Sequence, residues 1–204
     1  MNALLYKDFV SIKFTLVVML IMASLFSMWM GQGGPLSFFI GPAIASTVVG
    51  TSLNLDEKAG WLKFAVSSGT SRKTIIFNKL KLALVVTLIG ILSGFVGVAI
   101  SSIDTEISLE LLDVLFVVIF GFTFGLFTSC VMIFACYKFD AGYSGLFAAI
   151  IIGACAGLMV GANDLLTGVL TDLTWMFPIL SVIFACLGTV FFIAGMKVLN
   201  NKDL

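Results

Sequence analysis

The sequence predicts an all-α polytopic membrane protein. It has six transmembrane helices, an N-terminal interfacial amphipathic helix, and a short cytoplasmic helix between spans 2 and 3. Hydrophobic residues make up 60% of the 204 residues and charged residues only 11%, less than half of the roughly 25% typical of soluble domains. Uncharged apolar runs also reach the roughly 20 residues that a membrane-spanning helix needs. A single transmembrane domain therefore accounts for residues 1–204.

The uncharged runs divide the chain into its predicted spans. The motif GQGGP at residues 31–35 separates the first span from the second, because Gly and Pro favour a turn there. Charged residues separate most of the other spans. The predicted spans are 14–30, 36–55, 82–103, 114–137, 141–163 and 173–196.

Ahead of the first span, residues 2–13 have the spacing of an amphipathic helix. Leu5, Phe9 and Ile12 recur at i, i+4 and i+7 on one face. The polar residues of the segment are assigned to the other faces, and they are Lys7, Asp8 and Ser11. We expect this helix to lie in the membrane surface.

The basic residues indicate how the spans are oriented. All 11 Lys and Arg residues fall in the N-terminal segment, the loop between spans 2 and 3, the loop between spans 4 and 5, or the C-terminal tail. The charged residues of the opposite side are all acidic, at positions 104, 106, 110, 113, 164 and 172. The positive-inside rule therefore predicts that both termini are cytoplasmic.

The loop between spans 2 and 3 contains a second amphipathic segment. Asp56 and Glu57 are expected to begin a helix, where acidic side chains favour the helix dipole. Trp61, Phe64 and Ala65 then share one face of that helix. The helix either rests on lipid head groups with its tryptophan as an anchor, or docks a cytoplasmic partner with the aromatic pair as the binding anchor.

The same loop, residues 56–81, contains a break and six of the 11 basic residues. Gly69 is expected to end the first helix. Thr70 or Ser71 can cap the next one, which begins at Arg72 and leads into span 3.

Small and polar residues mark two further helices. In span 2 they form a strip that either lines a cavity or hydrogen-bonds to a neighbouring helix, and the strip is Ser46, Thr47, Gly50, Thr51 and Asn54. In span 5, Gly153, Gly157 and Gly161 recur at every fourth position and allow close helix approach. This stripe serves either packing within the chain or a dimer interface, as does the pair Gly121 and Gly125 in span 4.

Several classes of chemistry are excluded or disfavoured. The chain has no histidine, and its four cysteines, Cys130, Cys136, Cys155 and Cys186, lie in apolar runs without CxxC spacing, so no metal site or catalytic centre is predicted. The spans carry no charge, which disfavours an ion-driven pump. No Gly-Lys pair occurs, so the chain lacks a phosphate-binding loop and cannot itself be an ATPase of that kind.

The stretch DEKAGWLKFAVSSGTSRKTIIFNKLK, within this six-span arrangement, resembles the type-2 ATP-binding-cassette (ABC) permeases. Small bacterial exporter permeases of that family carry a similar run, and the phenol-soluble-modulin exporter permeases are among those the chain is similar to. Members often have a proline in the break, where this chain has Ser68, Gly69 and Thr70.

The resemblance implies a transport subunit in the bacterial cytoplasmic membrane rather than an enzyme. The loop helix would be the coupling helix, and a separate ABC ATPase subunit would bind ATP and Mg²⁺. The residues that the resemblance assigns to ATPase coupling are Asp56, Glu57, Lys58, Gly60, Trp61, Lys63, Phe64, Ser71 and Arg72. A second permease subunit would complete a homodimer or heterodimer.

The expected function is export of an amphipathic peptide or other hydrophobic cargo. Two alternatives are a substrate-binding membrane component of a vitamin importer and a membrane immunity protein that binds its target directly. The importer component would need a preformed polar pocket and would not need the aromatic loop helix. No nucleic-acid partner is expected.

Overall fold

The computed structural model describes residues 3–30, 40–101, 111–139, 141–143, 145–147, 149–150, 153–154 and 176–201. These residues are helical apart from short turns, and no β-strand occurs among them. The main helices are α1 (Ala3–Met30), α2 (Ile40–Lys58), α3 (Trp61–Ser67), α4 (Arg72–Ser101), α5 (Leu111–Phe139) and α6 (Met176–Asn201). A short 3₁₀ turn, Ala141–Tyr143, follows α5.

Four helices are long and apolar enough to cross a membrane: Ala3–Met28, Arg72–Gly97, Val114–Phe139 and Phe177–Asn201. They correspond to the predicted spans 1, 3, 4 and 6. Only a minor part of the first and last is buried within the chain, which leaves apolar surface that suits contact with lipid. The all-helical membrane fold is therefore confirmed. Predicted span 5 lies mostly outside the described residues.

The first helix differs from its prediction. Residues 3–30 form one unbroken helix rather than a surface helix followed by a span. Neither Gly nor Pro occurs between these positions, so the helix lacks the residues that commonly cause a kink. At 1.5 Å per residue the helix is about 42 Å long, which exceeds a hydrocarbon core of about 30 Å.

The second helix is the centre of the bundle. Helix α2 packs against α1, α4 and α5, and most of its residues are buried. It is not among the four strongly apolar helices because small and polar side chains occupy much of its length. Its close contact with α4 depends on Gly90, where an added Cβ would lie 2.7 Å from Ala45 Cβ and 2.8 Å from the Gly41 carbonyl oxygen.

The last helix packs along α5. Ser181, Gly188 and Gly195 recur at seven-residue intervals, the spacing that keeps small residues on a supercoiled seam. A Cβ on Gly188 would lie 3.4 Å from Phe127 Cα, and one on Gly195 would lie 3.5 Å from Phe134 Cα. Aromatic rings lie along this seam, and they belong to Phe120, Phe124, Phe127, Phe134, Phe177, Phe184 and Phe191.

Candidate functional site

The loop between α2 and α4 contains a short helix bounded by two glycines. Gly60 and Gly69 have φ angles of 62° and 89°, which glycine adopts readily and other residues do not. Helix α3 spans the seven residues between these turns. At the start of α4, the Ser71 hydroxyl accepts a hydrogen bond from the Thr74 backbone N–H at 3.1 Å. The predicted break and the Ser71 cap are therefore confirmed.

The two acidic residues are not at the start of the loop helix, and that part of the prediction was wrong. Asp56 and Glu57 lie in the last turn of α2, which continues to Lys58 before the chain turns at Gly60. The loop helix is correspondingly short, with seven residues from Trp61 to Ser67. The physical reason is that Asp56 has basic partners on α1 and α4, which outweigh the weak preference of an acid for a helix start.

Helix α3 is fixed by one face and leaves the other free. Ala65 is buried, and Leu62 packs against the core residues at this end of the bundle. Phe64 points outward and is 68% exposed, and Lys63 is also exposed. The prediction that Phe64 and Ala65 share one face of the helix is therefore wrong.

Beneath α3 lies a buried charge cluster formed by Lys7, Asp8, Asp56 and Lys79. The Lys79 ammonium nitrogen is 3.0 Å from Asp8 Oδ1 and 2.6 Å from Asp56 Oδ2. It also donates to the Ser52 hydroxyl at 2.7 Å. Lys7 pairs with both carboxylates. Two positive and two negative charges balance, which is the condition under which charges are tolerated in a protein interior.

The charge cluster is buried and connects the ends of three helices. The Asp8 and Lys79 side chains are each only 2% exposed. The cluster joins α1, α2 and α4, which contribute Asp8, Asp56 and Lys79 respectively. Asn78 adds a hydrogen bond from its Nδ2 to Asp8 Oδ2 at 3.0 Å. Because separating the charges would leave them unpaired in a low-dielectric interior, these helix ends are expected to move together.

Trp61 connects the loop helix to the cluster. The Lys7 ammonium lies 3.6 Å from the centroid of the Trp61 ring, a cation–π contact. The same ammonium pairs with Asp56. Trp61 is accordingly only partly exposed, unlike Phe64. Trp61 and Lys7 therefore place α3 in direct contact with the charge cluster.

A second connection runs from the start of α4 to the end of α6. The Arg72 guanidinium donates to the carbonyl oxygens of Leu199 at 3.1 Å and Asn200 at 2.6 Å. These carbonyls belong to the last turn of α6, where backbone acceptors lack helical partners and the helix dipole favours a cation. Arg72, assigned by resemblance to coupling, therefore holds the C-terminal helix.

The small and polar strip predicted in span 2 is partly buried within the bundle. Ser46 accepts a hydrogen bond from Thr128 on α5 at 2.7 Å, which favours the helix-contact alternative for that residue. Thr47 bonds to the Ile44 carbonyl oxygen, and Gly50 is buried. Thr51 and Asn54 are partly exposed. Within the described ranges, no three His, Cys, Asp or Glu side chains are placed to hold a metal ion.

The glycine stripe of span 5 is only partly visible. Gly153 is exposed, and nothing lies within 4 Å of a Cβ built on it. Gly157 and Gly161 lie outside the described residues. Gly125 packs within the chain instead, since its Cβ would lie 2.7 Å from Thr87 Cγ2.

Sequence reasoning missed the charge cluster, although the spacing contained a signal. Asp8 is three residues after Leu5 and four before Ile12, which places it beside the apolar face of α1. Lys79 has apolar residues at i−4, i−3, i+3 and i+4, all of them buried: Ile75, Ile76, Leu82 and Ala83. A charge at the centre of such a stripe is expected to have a buried partner.

Comparison with known proteins supplies the family. A family model described as "ABC-2 family transporter protein" matches residues 3–198. That range contains α3, the charge cluster and nearly all of the four apolar helices. The chain matches no curated protein and no solved structure. The chain is therefore a membrane protein of the ABC-2 transporter family.

Proposed function

We propose that the chain is the permease subunit of a bacterial ABC exporter and that a separate ATPase subunit docks on α3. The observation that carries this proposal is the 68% exposure of Phe64 on a helix whose other side is fixed to the bundle. An exposed aromatic ring on a rigid support is a typical binding anchor. Family membership supports the transport role.

The proposed topology has six spans with both termini in the cytoplasm. Support comes from the basic residues, which favour the cytoplasmic side. The contacts of Lys7 with Asp56, and of Arg72 with the end of α6, bring the N-terminal helix, the loop and the C-terminal helix to the same end of the bundle. The subunit would thus present one basic end to its ATPase.

In the proposed cycle, the partner ATPase binds ATP and Mg²⁺, and its closure pushes α3. Trp61 and Lys7 pass the displacement to the charge cluster, which moves the ends of α1, α2 and α4 together. A second permease subunit, the same chain or a related one, would complete the transport path, with Gly153, Gly157 and Gly161 as the proposed contact stripe. Alternating access of the paired spans then moves the cargo outward.

The proposed cargo is an amphipathic peptide or another hydrophobic molecule. The four apolar helices and the aromatic seam between α5 and α6 offer apolar surface to such a molecule. An apolar path suits a cargo that itself partitions into membranes. The expectation from the loop sequence, that the chain resembles the phenol-soluble-modulin exporter permeases, favours the same class of cargo.

Truncating Phe64 tests the docking site. Loss of a buried aromatic anchor commonly costs about 2 kcal/mol or more, so Phe64→Ala should weaken co-purification of the ATPase roughly 30-fold. Lys63→Ala should change binding much less, because a rim charge alters mainly the association rate. Trp61→Ala should reduce transport more than binding, since its ring contacts Lys7.

The matched control is Phe14→Ala, which removes a ring on α1 that is 79% exposed. It should leave ATPase binding unchanged at equal expression. Undiminished ATPase binding by a variant carrying both Trp61→Ala and Phe64→Ala would refute the docking site.

A further inference from the structure

An apolar cavity lies beside the seam between α5 and α6. Its volume is about 210 Å³. The described residues that line it belong mainly to α5 and α6, and Leu80 is contributed by α4. Phe192 of the lining contacts Phe77 of α4 edge-on, with 5.6 Å between the ring centroids. None of the described lining residues belongs to the charge cluster or to α3, so this cavity is separate from the proposed docking site.

The cavity lies within the membrane-spanning part of its helices. Leu80 is eight residues after the start of α4, and Cys130 and Phe192 are each nine residues before the ends of α5 and α6. At 1.5 Å per residue, these positions are about 12–14 Å from the helix ends. Thr123 and Phe184, also in the lining, are about 24–26 Å from the ends of α5 and α6. Since a hydrocarbon core is about 30 Å thick, the cavity lies at the depth of lipid chains.

The lining makes no demand for a polar ligand. None of the described lining residues is charged, and both hydroxyl groups are already bonded within their own helices. Thr123 Oγ1 donates to the Phe120 carbonyl oxygen at 3.0 Å. Thr189 Oγ1 donates to the Cys186 carbonyl oxygen at 2.7 Å. The remaining polar side-chain atom is the Cys130 sulfur, and a buried thiol behaves as a small hydrophobe.

Water is therefore a poor occupant of this cavity. Apolar cavities of about 150 Å³ stay dry and take up small hydrocarbons, and the present cavity is larger. An unfilled cavity also leaves its lining atoms without contacts on one side. A hydrocarbon group restores those contacts without leaving a polar atom unpaired.

The cavity is continuous with the lipid-facing surface of α6. Ala185 and Thr189 line it and are themselves exposed. Val182, Val190 and Ile193 of the same helix are 63%, 61% and 55% exposed, and only a minor part of this span is buried within the chain. A lipid chain that lies along α6 can therefore enter the cavity without crossing polar surface.

We propose that this cavity holds one hydrocarbon chain of a membrane phospholipid. The chain packs against Leu80, Phe127 and Phe184. It touches protein on several sides, whereas a chain on a convex helix face touches protein on one side only, so it is held more often. The head group contributes nothing to the site. Because the membrane supplies the occupant, the site does not depend on the exporter function.

The test uses the purified full chain in bilayers that contain a phosphatidylcholine with a photoactivatable diazirine near the middle of one acyl chain. Mass spectrometry then locates the cross-linked residues. The reference residues are Phe14 and Val17 of α1, which are 79% and 54% exposed and lie about 17–21 Å from the start of that helix. Adducts on Phe127 and Cys130 should exceed those on the reference residues roughly fivefold, because several additional carbon–carbon contacts each contribute a small fraction of RT.

One pair of substitutions fills the cavity. Ala185→Phe with Thr189→Phe should remove the excess of adducts on Phe127 and Cys130, both of which this variant retains. The matched control, Cys186→Phe with Val190→Phe, adds two rings to the same turns of α6 at exposed residues outside the described lining. It should keep the excess.

Two further measurements complete the test. Adducts on α1 should be the same in the wild-type chain and both variants, which shows that each is inserted in the bilayer. A phosphatidylglycerol with the same diazirine chain should give the same excess as phosphatidylcholine, because only the chain is bound.

Three outcomes would overturn the proposal. Equal adduct levels in the cavity and on α1 of the wild-type chain would indicate ordinary lipid contact without a site. Equal losses in the filling variant and its control would show that the cavity is not the place of binding. Loss of the cavity adducts on addition of an amphipathic helical peptide, with the α1 adducts unchanged, would assign the cavity to a peptide instead of a lipid.

Discussion

Replacing Lys79 by methionine should destabilise the protein more than any other single removal of a charge. The ammonium nitrogen lies 3.0 Å from Asp8 Oδ1 and 2.6 Å from Asp56 Oδ2. At an effective dielectric constant of about 20, each attraction is on the order of 6 kcal/mol before desolvation is subtracted. Breaking a buried pair by removing one partner costs about 3–5 kcal/mol net. For a chain of this size that corresponds to a fall in Tm of roughly 6–20 °C.

The assay is thermal unfolding of the purified protein in one detergent, followed by intrinsic fluorescence. The rescue variant combines Lys79→Met with Asp8→Asn, which leaves Lys7 and Asp56 as a balanced pair. It should recover at least half of the lost Tm, because the uncompensated carboxylate is the main source of the cost. A single variant within 2 °C of wild type, or a rescue variant no better than the single one, would refute the description of this cluster as a buried neutral unit.

Two further predictions concern helix contacts. Gly90→Val should lower the stability by about 1–3 kcal/mol through overpacking, because its Cβ would lie 2.7 Å from Ala45 Cβ. The control is Gly153→Val, which should leave the Tm unchanged because nothing lies within 4 Å of a Cβ at that position. Equal Tm values for the two variants would contradict the α2–α4 packing. Arg72→Gln should weaken the last turn of α6 by about 1–2 kcal/mol, which amide hydrogen exchange near Leu199 would detect as a faster rate. The control, Lys73→Gln, should leave that exchange rate unchanged. An unchanged rate in both variants would show that the two contacts of Arg72 with the α6 carbonyls do not stabilise the helix end.

The sequence predicted those features that local chemistry determines. Long uncharged runs predicted the apolar helices, and Gly69 with Ser71 predicted the break before α4. The apolar face of residues 2–13 was also correct, since Ile12 is buried and Leu5 and Phe9 pack beside it. That face, however, contacts the protein's own helices α2 and α4 through Ala45, Val48, Leu82 and Val86.

Features that depend on distant segments were not predicted. Lys7, Asp56 and Lys79 come from three helices, and nothing in their local sequence states that they meet. The positive-inside rule already explains Lys79 as one basic residue of a cytoplasmic loop. The rule therefore gave no indication that Lys79 is buried. Asp56 was assigned to a helix start because an acid favours that position, whereas ion pairing across the bundle holds it in the last turn of α2.

The members of the charge cluster lie far apart along the sequence, and this has a consequence for the synthesis of the protein. Asp8 and Lys79 are 71 residues apart, which corresponds to roughly 4–14 s of translation at ordinary rates. During that interval Lys7, whose ammonium lies 3.1 Å from Asp8, is the counter-ion that the nascent chain already possesses. Arrival of α4 supplies Lys79, the second cation of the cluster, which pairs with both Asp8 and Asp56. The charges of the cluster therefore balance only once α4 has been synthesised, and until then Lys7 is shared by two carboxylates.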